Sequence, residues 1–171
     1  MNRLFFALWP DDGVRQQIEE RQPKGDVLGG RRVSQENYHL TLAFMAQVSD
    51  RQWERLEMNA STLQFDAFNL QLDCVGHWPH AQVAWLGCQH PPQGLLDLVG
   101  GLKQMLQQVG LPVEQRPYQP HISLRRKVRE WPADQSVATI EWPVREYVLS
   151  RSIIQPDGPH YQVIGRWPLR Q

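Results

Sequence analysis

The sequence predicts a fold of mixed strands and helices in which two pseudo-equivalent lobes face each other across a groove. Two observations carry that expectation. Segments that alternate like strands take turns with segments of helical spacing. A short stretch, Tyr38-His39-Leu40-Thr41-Leu42-Ala43-Phe44, also returns in near copy as Pro120-His121-Ile122-Ser123-Leu124. The length of 171 residues adds a third: it fits one bilobal unit over 1–171 with a shared core, since a chain of this size buries roughly 70% of its unfolded surface.

Taken in order, residues 3–9 read as a strand that is apolar throughout and so buried on both faces, closed by Pro10-Asp11-Asp12-Gly13. An aspartate cap then opens a helix over 12–22 with Val14 and Ile18 as a narrow apolar stripe, ending at Pro23-Lys24-Gly25. Residues 24–32 are a Gly/Arg-rich loop. Gly29-Gly30-Arg31-Arg32 is suited to touch an anion but lacks the spacing of a phosphate-binding glycine loop.

Residues 38–44 form the next strand, and Ser49-Asp50 caps a helix to about residue 63, with Trp53, Leu56 and Met58 among its apolar residues. Over 65–75, Phe68, Leu70, Leu72 and Cys74 alternate with Asn69, Gln71 and Asp73, which predicts a half-buried strand with Cys74 on the core side. The turn His77-Trp78-Pro79-His80 joins it in a hairpin to a strand over 82–86. A helix follows over 93–109, interrupted by Gly100-Gly101, where each glycine costs about 1 kcal/mol relative to alanine unless packing requires it. The second histidine stretch is a strand, and the tail contributes strands over 144–154 and 161–165 around the turn Pro156-Asp157-Gly158-Pro159.

Composition narrows the function. At 41% hydrophobic and 21% charged residues the chain is an ordinary globular one, and its net charge of zero gives no bulk attraction to nucleic acid or to a membrane surface. The apolar run near the N-terminus is too short for a signal segment, no run reaches the roughly 20 residues of a membrane span, and only Cys74 and Cys88 are present. A cytoplasmic protein without a disulfide framework is expected, as is a monomer. Fifteen of the 18 basic residues are arginines, the better bidentate partner for phosphate. Arg116, Arg125, Arg126, Lys127 and Arg129 cluster around the second histidine stretch.

In each copied stretch a histidine and a hydroxyl residue stand two apart. Alternation puts His39 and Thr41 on one face of their strand and Leu40, Leu42 and Phe44 on the other. Neither stretch offers the third ligand that a catalytic zinc requires. A Ser–His nucleophile also fits badly, because residues i and i+2 project in parallel from Cα atoms about 6.5–7 Å apart. Two imidazoles flanking a reacting atom suit general base and general acid, since histidine titrates near neutrality. Two hydroxyls suit donors to oxygens that gain charge. Together they describe metal-free chemistry at a phosphodiester, with no cofactor. A looser set, Cys74, His77, His80, Cys88 and His90, has some of the residue types of a zinc site but matches no standard finger spacing.

His39-Leu40-Thr41-Leu42 and His121-Ile122-Ser123-Leu124 resemble the paired His-x-Thr/Ser motifs of the 2H phosphoesterase superfamily. The context resembles its RNA 2′,3′-cyclic phosphodiesterase branch, historically called 2′-5′ RNA ligases. The resemblance includes Arg3-Leu4-Phe5-Phe6-Ala7-Leu8, Val83-Ala84-Trp85-Leu86-Gly87, Arg116-Pro117-Tyr118-Gln119-Pro120-His121 and the ending at 161–169, and so spans nearly the whole chain.

The resemblance implies a bilobal α+β fold of antiparallel sheets, with outer helices, lining a central cleft. It implies metal-independent hydrolysis of RNA or nucleotide 2′,3′-cyclic phosphate ends to a 2′-phosphate, with reversible 2′-5′ ligation as a related activity. By it, His121 activates water, His39 protonates the departing 3′ oxygen, and Thr41 and Ser123 hold the phosphate; the residues alone do not orient the pair. Ser123 stands where the family often has threonine, and the hydroxyl is kept. The family's arginine five residues after the second histidine corresponds to Arg126, whereas strict alternation selects Arg125; Arg126 is favoured because a strand end can bulge or twist. Phe6 is a candidate base-stacking residue or a core residue, and Trp78 and Tyr118 are candidates for the cleft rim. The alternative is an RNA-end binding or repair-accessory protein with little turnover.

Overall fold

The computed structural model describes residues 2–22, 29–131, 136–156 and 158–171. Ten strands and three α-helices are found among them: β1 (Asn2–Leu8), α1 (Asp12–Glu20), β2 (Arg31–Arg32), β3 (Leu40–Val48), α2 (Asp50–Ala60), β4 (Phe68–Leu72), β5 (Cys74–Trp78), β6 (Val83–Gly87), α3 (Gln93–Gln108), β7 (His121–Arg126), β8 (Ile140–Val144), β9 (Glu146–Gln155) and β10 (Gly158–Pro168). The fold is the expected α+β class, and every strand pairing within the sheets is antiparallel.

Eight strands join in one sheet, in the order β10-β9-β1-β3-β7-β6-β5, with β2 also on β7. The join between its halves is narrow. β3 and β7 meet in register at one pair, Leu40 with Ile122. The same edge of β7 then passes to β2, through Arg32 with Arg125 and Arg31 with Arg126. Each half therefore carries one copied stretch to a common seam.

One face of the sheet holds the core. Leu4, Phe6 and Leu8 of β1, Leu40 and Leu42 of β3 and Ile122 and Leu124 of β7 pack with Val14 and Ile18 of α1, Leu56 of α2 and Leu95, Leu98, Leu102 and Leu106 of α3. Local signals begin the helices as expected. The Asp11 side chain accepts from the Val14 amide at the start of α1, and Ser49 with Gln52 forms a reciprocal capping box on α2. Gly101 answers part of the puzzle in α3, because a Cβ there would stand 2.4 Å from the Phe65 ring; nothing comparable explains Gly100.

Several expectations need correction. Residues 65–75 are two strands: the chain breaks at Asp73, β4 pairs with β8 in a separate two-stranded sheet, and β5 makes the hairpin with β6. Alternation records which side a residue faces, not which partner it pairs with. His77 and Trp78 end β5, and the turn lies beyond them, with Gln82 at φ 54°. β8 was not expected, because Pro143 interrupts its pattern; a proline is tolerated in a short two-stranded ladder. Arg31 and Arg32 belong to a strand rather than to a loop. Met58 is 66% exposed. The end of the first helix region at 23–25 lies outside the described residues.

Candidate active site

The Leu40–Ile122 pair builds the site. Both side chains are fully buried in the core, so their neighbours along each strand project from the opposite face. Antiparallel register then sets His39 beside Ser123 and Thr41 beside His121, with the two histidines on the diagonal at roughly 7–8 Å between backbones. Thus four residues 80-odd positions apart in two pairs become one cluster.

Backbone geometry aims both imidazoles alike. His39 Nδ1 lies 2.7 Å from the Asn37 carbonyl and His121 Nδ1 lies 2.8 Å from the Gln119 carbonyl, in each case two residues back. A carbonyl accepts only, so Nδ1 carries the proton and the Nε2 lone pair is left available. A tight 3-10 turn at Gln35–Asn37 presents the first carbonyl. Tyr118 donates its hydroxyl to the Thr41 carbonyl at 2.9 Å, tying the approach to β7 onto β3.

Aromatic rings wall the two histidines unequally. Trp9 stacks on His39 at 5.2 Å and 9°, Phe5 lies 4.9 Å away, and Tyr161 meets it edge-on at 4.9 Å. His121 meets Trp78 edge-on at 4.5 Å, and Trp78 leans on Trp85. Burial pushes the His39 imidazole down to about 4, helped by the positive charge of Arg126 and by His121, and opposed by the bond to Asn37. Burial and Arg126 also lower His121. Sequence reading identified Trp78 but not Trp9, Phe5 or Tyr161. Phe5 and Trp9 share the His39 face only through the β1–β3 register, which pairs Ala7 with Thr41.

Phe6 is corrected. It is 0% exposed and packs on Tyr147 and Trp167 in the core, so no face of its ring is open to a base. A bulge turns the two arginines to opposite sides of β7. β7 pairs Ser123 with Trp85 and then Arg125 with Ala84, with the register shifting between, which inverts the alternation beyond Leu124. Arg125 is buried and donates to the Gly29 carbonyl at 3.2 Å. Arg126 instead lines an open cleft of about 240 Å³ together with His39, Ser123, Arg31, Asn37 and Tyr161.

Behind the seam a polar chain braces both motifs. Arg32 pairs with Glu19 at 2.5 Å, Glu19 accepts from the Tyr38 hydroxyl at 2.6 Å, and Gln22 donates to Tyr38 at 2.7 Å and to the Leu124 carbonyl at 3.3 Å. Gln22 is only 4% exposed. It joins the residue before His39 to the bulge that turns Arg126. Nothing in the local sequence around Gln22 signals this, since both partners are distant.

The Cys/His set does not converge. Among the described residues no three His, Cys, Asp or Glu side chains are placed to share a metal ion. His77 Nε2 is 2.9 Å from the Val128 carbonyl, and burial pushes both thiols up, Cys74 to about 11.

Known proteins resemble this chain over almost its full length. A family model described as the 2′-5′ RNA ligase superfamily matches residues 10–152. The RNA 2′,3′-cyclic phosphodiesterase of Escherichia coli (strain K12) is 34% identical over 177 residues, covering 99% of this chain and 97% of its own. A second RNA 2′,3′-cyclic phosphodiesterase, from Archaeoglobus fulgidus, is 29% identical over 94% of this chain and 96% of its own. The crystal structure of E. coli LigT complexed with 3′-AMP matches with a TM-score of 0.90 at 33% identity, over 99% of each chain. With most of its length matched by the family model and a full-length relative at 34% identity, the chain belongs to the 2′-5′ RNA ligase superfamily.

Proposed function

We propose that the protein is an RNA 2′,3′-cyclic phosphodiesterase. It hydrolyses 2′,3′-cyclic phosphate ends of RNA or nucleotides to 2′-phosphates by a two-histidine general acid/base mechanism that needs no metal or cofactor. The observation that supports the reading is the Leu40–Ile122 pairing, which brings the strands carrying His39, Thr41, His121 and Ser123 together, beside a cleft lined by His39, Ser123 and Arg126. Relatives that bear this activity in their names support it.

In this mechanism water attacks phosphorus as His121 Nε2 takes its proton. The P–O3′ bond breaks in line, and His39 Nε2 delivers a proton to the departing O3′. The product keeps its phosphate on O2′ and gains a 3′-hydroxyl. Thr41 and Ser123 donate hydrogen bonds to the non-bridging oxygens, and Arg126 balances their growing charge. The environment of His39 supports this division of labour. His39, held near 4 by burial, is a strong acid once protonated. Bound phosphate and the face of Trp9 both favour the imidazolium form of His39. A 5′-hydroxyl taking the place of water would give a 2′-5′ linkage by the same steps.

The experiment is product regiochemistry. A 2′,3′-cyclic nucleotide is incubated with the protein and followed by ³¹P NMR, and the 2′-phosphate is expected alone. Accumulation of the 3′-phosphate, or no product, rejects the proposal.

A further inference from the structure

Beyond the reacting phosphate, we infer that Arg31 binds the next phosphodiester toward the 5′ side, so that the site recognises an RNA strand end in preference to a free cyclic mononucleotide. The inference rests on the phosphodiesterase reading and names its substrate class.

Arg31 and Arg126 are directly paired across β2 and β7, which puts their Cβ atoms about 4.5–5.5 Å apart on one face. Like charges so placed destabilise a ladder. The adjoining arginine pair on the other face is partnered, Arg32 by Glu19 at 2.5 Å and Arg125 in part by the Gly29 carbonyl at 3.2 Å. The front pair is not: among the described residues no carboxylate forms an ion pair with Arg31 or Arg126. Both are exposed and line the cleft that begins at His39 and Ser123 and runs to Pro159 and His160. Glu36 lines the same cleft without pairing with either guanidinium.

An anion between or beside the two arginines relieves their repulsion. One phosphate is already assigned to Arg126 at the seam. The cleft continues past it by one cross-strand step, which suits the one-nucleotide step to a neighbouring phosphodiester. A planar, permanently charged guanidinium is the group best matched to it. The β9–β10 hairpin closes this end, with Gly158 backing onto the Arg31 guanidinium at 3.6 Å from where a Cβ would stand.

The test uses the full chain and two substrates, a 2′,3′-cyclic mononucleotide and a dinucleotide ending in the same cyclic phosphate. The ratio of kcat/KM for dinucleotide over mononucleotide is measured for wild type, Arg31→Gln and Arg31→Lys. Binding of the two corresponding 2′-phosphate products is measured alongside. Wild type should favour the dinucleotide, and Arg31→Gln should lower that ratio about tenfold, in turnover and in binding alike, as expected for one charged hydrogen bond. Arg31→Lys should recover part of it. An unchanged ratio in Arg31→Gln overturns the inference. If wild type turns over neither substrate, the phosphodiesterase reading fails instead, and the binding ratio alone decides the role of Arg31.

Discussion

Proton occupancy of His39 is the most exposed part of the mechanism. Its imidazole stands near 4 in the free protein against 6.5 for an unperturbed one, a difference of about 3 kcal/mol at 1.36 kcal/mol per unit. The perturbation to apply is an anion. A phosphate oxygen about 5 Å away, at an effective dielectric of about 20, favours the imidazolium by about 3 kcal/mol, or roughly 2 units. His39 should therefore titrate near 4 alone and move upward by about 2 units when a 2′-nucleotide saturates the cleft. Two-dimensional NMR of the imidazole carbons or nitrogens reads both values. Linkage gives a second readout with a definite sign. Between pH 6.5 and about 4 the unfolded chain binds a proton at this residue and the folded chain does not, so stability falls as pH drops through that window. His121 acts in the same direction. His39→Gln should remove about 3 kcal/mol of the stability change across that window. A titration near 6.5 in the free protein, unmoved by the nucleotide, would refute the reasoning.

Other outcomes follow from the same geometry. Thr41→Ala and Ser123→Ala should each lower kcat by about 10²-fold with stability almost unchanged, as measured by steady-state kinetics and thermal melting; equal activity would remove the hydroxyls from the phosphate. Arg126→Ala should lower kcat/KM by about 10²-fold with little effect on stability, whereas Arg125→Ala should chiefly destabilise, because Arg125 is the buried member of the pair. The reverse pattern would mean that the bulge does not set the arginine. Gln22→Leu should cost about 1–2 kcal/mol of stability and lower kcat more than it raises KM, as a positioning role requires; a KM effect alone would contradict it.

How far the sequence carried depends on the range of each signal. The copied His-x-Thr/Ser stretches and the helix caps are local and produced the elements expected of them. Phe44 and Met58, expected on apolar faces, are instead 44% and 66% exposed, Phe44 because β3 bulges at Leu42, between the residues paired with Phe6 and Ala7. Partner choice is not local. The run at 65–75 divides between two sheets because Asp73 turns the chain, its carboxylate accepting from the Gln89 amide at 2.9 Å. No alternation pattern contains that information. The aromatic wall of His39 was hidden for the same reason: Trp9 and Tyr161 reach it through strands far apart in the chain. Phe6 and Phe5 show how small the margin is, since neighbouring residues on β1 face opposite sides of the sheet, one into the core and one toward the site. Arg126 needed both kinds of signal. Spacing from His121 suggested it, strict alternation opposed it, and the bulge at Leu124 reconciles the two.

The central claim is that one imidazole from each half of the sheet performs the reaction without a metal. Its most direct test is turnover of an RNA oligonucleotide ending in a 2′,3′-cyclic phosphate, in EDTA, by wild type, His39→Ala and His121→Ala, with folding of each checked by circular dichroism. Wild-type turnover unaffected by EDTA is expected, with each variant folded and slower by about 10²–10⁴-fold. Loss of wild-type turnover in EDTA, or a folded variant that keeps its rate, would contradict the claim.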